Sequence, residues 1–131
     1  MSGRNISELT GLTMANVERQ GDEIHFTATT GEKWKLHHEQ DCCESVTIDD
    51  INGELSDLIG APILQAEEAS NEPIPAKSKN EWQDYSFTWT FYKLATIKGY
   101  VTLRWFGTSN GYYSERVSFS KWVDDYGWRP W

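Results

Sequence analysis

At 131 residues and a formal net charge of −8, the chain is long enough to bury one core without staples. It is too acidic for general binding to duplex nucleic acid, whose phosphates need clustered Lys and Arg. No apolar run approaches the roughly 20 residues that span a bilayer; Met1-Ser2-Gly3-Arg4 also lacks the basic-then-apolar opening of a secretory signal, so no membrane partner is expected and the expected location is cytoplasmic.

Residues 12–19 read as a first strand, preceded by a short turn or helical piece around Ser7-Glu8-Leu9 and closed by the turn signal Gln20-Gly21-Asp22. Residues 23–29 and 32–39 form a hairpin around Thr30-Gly31, which sets His25 opposite Leu36 and on one face with His38. A further strand follows the cysteines over 44–48. Asn52 is placed to cap a short helix carrying Leu55, Leu58 and Ile59, with Gly60 ending it and Pro62 blocking continuation. Residues 63–66 read as a strand, and 67–81, with Pro73, Pro75 and few apolar side chains, as a long exposed loop. Residues 85–97 and 100–107 are rich in aromatic and β-branched side chains and pair about Lys98-Gly99, with Leu94 across from Leu103 and Tyr92 from Trp105. That register gives one apolar face, completed by Val101, and a second face with Phe91, Lys93, Tyr100, Arg104 and Phe106. Thr108-Ser109-Asn110-Gly111 leads into a strand over 112–119, and the Trp-rich tail 122–131 docks across the domain. The whole is expected as a single mainly β (α+β) domain over residues 1–131: seven to eight antiparallel strands and one short helix, in a curled sheet, sandwich or partial barrel.

Charge is unevenly spread. Between Leu36 and Ala76 there is no Lys or Arg against ten Asp or Glu, which leaves the rest of the chain net +2 (−8 less −10). Residues 87–123 carry Lys93, Lys98, Arg104, Arg116 and Lys121 against Glu115 alone. Sixteen of the eighteen aromatic residues lie from Trp82 onward, so the second half supplies core or a stacking surface.

The run His37-His38-Glu39-Gln40-Asp41-Cys42-Cys43-Glu44 gathers both cysteines, two of the three histidines and three carboxylates. The cysteines are adjacent, and neighbouring Cα atoms about 3.8 Å apart fall short of the about 4.4–6.8 Å typical of a disulfide, so two free thiols are expected. Zinc needs three or four ligands converging at about 2.0–2.3 Å. On an extended strand His38 and Cys42 stand roughly 13 Å apart along the chain. His25, His38, Cys42 and Cys43 therefore make only a weak metal set, and no cofactor is expected. The same dispersal argues against a Cys-His catalytic dyad. In the simpler structural reading one cysteine fills the core, and Asp41 and Glu44 hydrogen-bond backbone at a turn or strand end.

The segment Leu36-His37-x-x-Gln40-Asp41-Cys42-Cys43-Glu44-x-Val46, its continuation Ile48-Asp49-Asp50-Ile51-x-Gly53-x-Leu55-x-Asp57-Leu58-Ile59-Gly60, and the later Arg104-Trp105-x-Gly107-x-Ser109-Asn110-Gly111-Tyr112-Tyr113-Ser114 resemble an uncharacterised family of small phage and prophage proteins. The resemblance covers roughly residues 12–117 and leaves the tail after Ser118 outside. It implies a phage-borne context in a bacterial host cell and little chemistry.

Neither a Gly-rich phosphate loop nor a Gly-x-Ser-x-Gly elbow is present, so a protein that binds rather than catalyses is expected. In the first reading it inhibits a host macromolecule, most simply a host protein of the bacterial defence, through an acidic surface of Asp41, Glu44, Asp49, Asp50, Glu54 and Asp57. In the alternative it sequesters a small nucleotide on an aromatic and basic surface of Lys93, Tyr100, Arg104, Phe106, Asn110, Tyr112 and Tyr113. A metal-binding or thiol-dependent enzyme is the third, and the abundance of aromatic residues suggests a homodimer.

Overall fold

The computed structural model describes residues 4–70, 74–77, 84–110 and 113–130. Their strands are β1 (Met14–Gln20), β2 (Glu23–Ala28), β3 (Lys33–His37), β4 (Ser45–Asn52), β5 (Gln65–Ser70), β6 (Ile74–Lys77), β7 (Asp84–Thr96), β8 (Gly99–Ser109), β9 (Ser118–Val123) and β10 (Gly127–Arg129). They form two five-stranded antiparallel sheets. The first runs β1-β2-β3-β9-β10; the second runs β4-β8-β7-β5, with β6 also paired to β7. Helical structure among the described residues is limited to the 3-10 turns Ile6–Leu9 and Leu55–Leu58. No helix of the described residues is long and apolar enough to cross a membrane.

Alternation drives the assembly. Ile24 and Phe26 of β2, with Trp34 and Leu36 of β3, face Tyr92 and Leu94 of β7 and Val101, Leu103 and Trp105 of β8, and all are buried in one shared core. Two spacings break the two-residue period, and both are absorbed by irregular pairing. Met14 and Val17 are three apart, and the β1–β2 register shifts between Met14 and Asn16. Ile48 and Ile51 are also three apart, and the β4–β8 register shifts between Ile48 and Asp50. An extra residue at a bulge keeps the apolar side chain inward where the period alone would turn it out.

Several sequence expectations are corrected. The first hairpin pairs His25 with Lys35 and Ile24 with Leu36, one residue away from the expected register. The loop is one residue longer, with Gly31 at φ 95° and its N–H donating to the Ala28 carbonyl at 2.9 Å. A left-handed glycine closing a three-residue loop is what sets that register. The β7–β8 hairpin turns at Ile97-Lys98 instead of Lys98-Gly99, so Leu94 meets Val101 and Tyr92 meets Leu103. This slip of two preserves which residues face the core. The piece at Leu55–Leu58 is a 3-10 turn with Glu54, not Asn52, at its N-cap. The expected loop over 67–81 instead continues β5 to Ser70 and contains β6; its remaining residues lie outside those described. The tail adds β10 as a hairpin partner of β9.

Candidate functional site

Inward alternation on β7 and β8 leaves the opposite residues to form the outer face of the second sheet. Phe87, Trp89 and Phe91 of β7 and Arg104 and Phe106 of β8 are half-buried there, while Lys93 and Tyr100 are exposed. Trp89 pairs with Phe106 across the strands, and their rings lie 4.6 Å apart. Phe87 lies 6.2 Å from the same Phe106 ring. The Arg104 guanidinium stands 5.4 Å over Trp89.

Arg104 is held in place from the edge strand. The β4 bulge sets Asp49 and Asp50 beside it, and Asp49 Oδ2 accepts from Arg104 Nε at 2.7 Å and lies 2.6 Å from Nη2. This two-point carboxylate contact fixes the plane of the guanidinium against the indole. Asp50 and Glu54 remain exposed along the same edge. The result is a contiguous aromatic patch with one clamped arginine and an acidic rim. Sequence reasoning selected Arg104 and Phe106 but missed Phe87 and Trp89, which sit four and two residues before Phe91 and were legible from the alternation itself.

The six residues of the expected acidic surface are not all exposed. Asp41, Asp49, Asp50 and Glu54 are exposed, but Asp57 is half-buried under the β7–β8 turn and Glu44 is turned inward with no exposed side-chain surface. Of the alternative set, Lys93, Tyr100, Arg104 and Phe106 share the outer face, Asn110 is exposed at the end of β8, Tyr113 is half-buried, and Tyr112 lies outside the described residues.

Residues 38–44 cross from the first sheet to the second and do not continue β3, which ends at His37. The crossing folds around Glu44. Its carboxylate accepts the N–H groups of Asp41 and Cys42, each at 2.9 Å, and contacts His38 Nε2 at 2.7 Å. The Cys42 N–H, then those of Asp41 and the His38 ring, favour the anion and hold the Glu44 carboxyl at about 2 despite its burial. His38 Nδ1 meets the Arg116 carbonyl at 2.7 Å, which ties this crossing to the return crossing before β9. Cys42 and Cys43 are both exposed, and their sulfurs are joined in a disulfide. That corrects the expectation of free thiols: the loop is a turn, not a strand, so both side chains leave it on the solvent side.

His25 lies elsewhere, bonded to Glu23 at 2.8 Å and edge-on to Trp128. Among the described residues no group of three or more His, Cys, Asp or Glu is placed to hold a metal ion. In the return crossing, Glu115 is buried and accepts from Ser86, from Thr88 at 2.8 Å and from Ser109 at 2.6 Å. It was not singled out from sequence, although it is the lone acid of residues 87–123. A cavity of about 260 Å³ opens beside Arg4, Glu68, Tyr92 and Arg116; the Tyr92 hydroxyl donates to Glu68, and burial raises its pKa well above the ordinary tyrosine range.

No curated protein and no solved structure matches the chain. A family model described as a domain of unknown function (DUF7448) matches residues 3–119, which spans both crossings and the aromatic face and stops within β9. The chain therefore belongs to this family of domains of unknown function.

Proposed function

We propose that this protein is a non-catalytic binding protein that docks on another protein through the outer face of the second sheet. The observation that carries this reading is the patch of Phe87, Trp89, Phe106 and clamped Arg104 beside exposed Asp50 and Glu54. Aromatic side chains and arginine dominate the energetic centres of protein interfaces, and a charged rim supplies steering and selectivity. The partner that fits has an apolar pocket bordered by Lys or Arg. The phage-borne setting implied by the sequence resemblance makes a bacterial defence protein the natural target and inhibition by occupancy the natural mode.

Nucleotide capture on the same face is the weaker reading. Exposed Lys93 and Tyr100 favour it, but Arg104 is already committed to Asp49. A nucleotide would give saturable quenching of tryptophan fluorescence, which Trp89→Phe would alter.

Affinity capture from bacterial lysate with quantitative mass spectrometry tests the docking surface. Wild type and three variants serve as bait: Trp89→Ala, Asp50→Lys with Glu54→Lys, and the distant Asn16→Ala on β1. A protein retained by wild type and Asn16→Ala but lost from both surface variants is the expected outcome. Equal retention by all four baits overturns the assignment of this face.

A further inference from the structure

Cys42 and Cys43 are the only cysteines of the chain, and both are exposed on the crossing between the sheets. The proposed docking face lies on β7 and β8, away from this loop. The Cys42 backbone has two fastenings: its N–H donates to Glu44 at 2.9 Å, and its carbonyl accepts from Gln40 Nε2 at 3.2 Å. Below it, Glu44 and His38 are in contact at 2.7 Å, and His38 reaches the Arg116 carbonyl at 2.7 Å. The next residue back, Glu115, is fixed to Ser86, Thr88 and Ser109 on β7 and β8. A continuous hydrogen-bonded path thus runs from the sulfur-bearing loop to the return crossing.

We propose that Cys42-Cys43 is a reversible thiol–disulfide exchange site, and that its state sets the order of both inter-sheet crossings. The co-reactant is a low-molecular-weight or protein thiol. Its thiolate attacks one of the two sulfurs; the S–S bond breaks, a mixed disulfide forms, and the other cysteine leaves as a thiolate that takes up a proton. A second thiol attacks the sulfur of the reagent in the mixed disulfide and releases the first cysteine, which is protonated in turn. The protein disulfide and two thiols become two protein thiols and one external disulfide. A disulfide reagent reverses the sequence.

Adjacency makes this site consequential for the backbone. A disulfide between neighbouring residues closes a ring that contains the peptide bond between them, so opening it changes the torsions available to Cys42 and Cys43. The Cys42 N–H to Glu44 bond lies next to that ring, and the path through His38 carries the loss of order to residues 113–117. Exposed Glu39 and Asp41 flank the site and favour a neutral or cationic thiol over an anionic one.

The test uses the full chain, once reduced with dithiothreitol and once oxidised with a small disulfide reagent. Intact mass, iodoacetamide uptake and hydrogen exchange by mass spectrometry are read on both forms. The oxidised protein is expected as a monomer lighter by two hydrogen atoms that takes up no label, and the reduced protein takes up two labels. Exchange in segments 38–44 and 113–117 is expected to rise several-fold on reduction while β8 stays unchanged. Cys42→Ser with Cys43→Ser should show the faster exchange whatever the reagent. Disulfide-linked dimers, an unchanged mass after oxidation, or identical exchange in the two forms would each overturn the proposal.

Discussion

Glu44 shows how one buried side chain decides a local structure. Its carboxyl is held at about 2, chiefly by the Cys42 N–H, against an ordinary value of 4.5. As pH falls below about 4.5 the unfolded chain binds a proton that folded Glu44 still refuses, so its contribution is complete above that value and is lost as pH approaches about 2. Thermal melts from pH 6 downward should show Glu44→Gln less stable at pH 6 and with a shallower decline across that window. His37 works in a higher window. Burial lowers its pKa from 6.5, so the neutral ring is favoured and its share of stability falls as pH drops below 6.5. Glu115 is held by hydroxyls, and Glu115→Ala removes the carboxylate that accepts from Ser86, Thr88 and Ser109. Urea denaturation should register a loss of about 1–3 kcal/mol. The backbone-accepting role of Glu44 at a turn was legible in the sequence; its burial and the hydroxyl cage of Glu115 were not, because a buried carboxylate reads the same as a solvated one until its donors are placed.

At the level of elements, the two hairpins explain which sequence expectations hold. The β7–β8 turn lies one position earlier on each strand than expected, yet Tyr92, Leu94, Val101, Leu103 and Trp105 still face inward because the register moved by two. The β2–β3 register moved by one, so His25 lies outward beside Lys35 while Leu36 turns inward with Ile24. A period of two forgives even slips and punishes odd ones. Gly53, which follows β4, tests a different constraint. It sits at φ 108°, where an added Cβ would run into the Tyr100 carbonyl oxygen and lie 3.3 Å from the Val101 Cα. Gly53→Ala is expected to cost about 1–3 kcal/mol in a chemical melt, with the β4–β8 edge exchanging hydrogen faster than the β7–β8 pair.

Across the whole molecule, one core joins the two sheets, and Trp105 and Leu103 lie at 0% exposure within it. Trp105→Ala should lose about 3–5 kcal/mol, and because both sheets share the core, far-ultraviolet and tryptophan signals should melt together. The outer aromatic face predicts the opposite: Phe106→Ala should change stability far less than partner capture. With a net charge of −8 and acids along the β4 edge, partner binding should weaken as salt is raised from 50 to 500 mM; affinity measured over that range checks it.

The β-rich class, the long aromatic hairpin and the division of its residues between two faces are all written in the chain, because alternation is a local property carried by neighbouring side chains. The sequence also marked residues 37–44 as unusual. What that segment is emerges from contacts made when the two sheets come together. Glu44, His38 and the Arg116 carbonyl are brought together by the two crossings between sheets, and contacts between residues 78 positions apart leave no periodic trace in the chain. The same holds for the clamp of Asp49 on Arg104, 55 positions apart, which depends on a bulge that the three-residue spacing of Ile48 and Ile51 only hinted at.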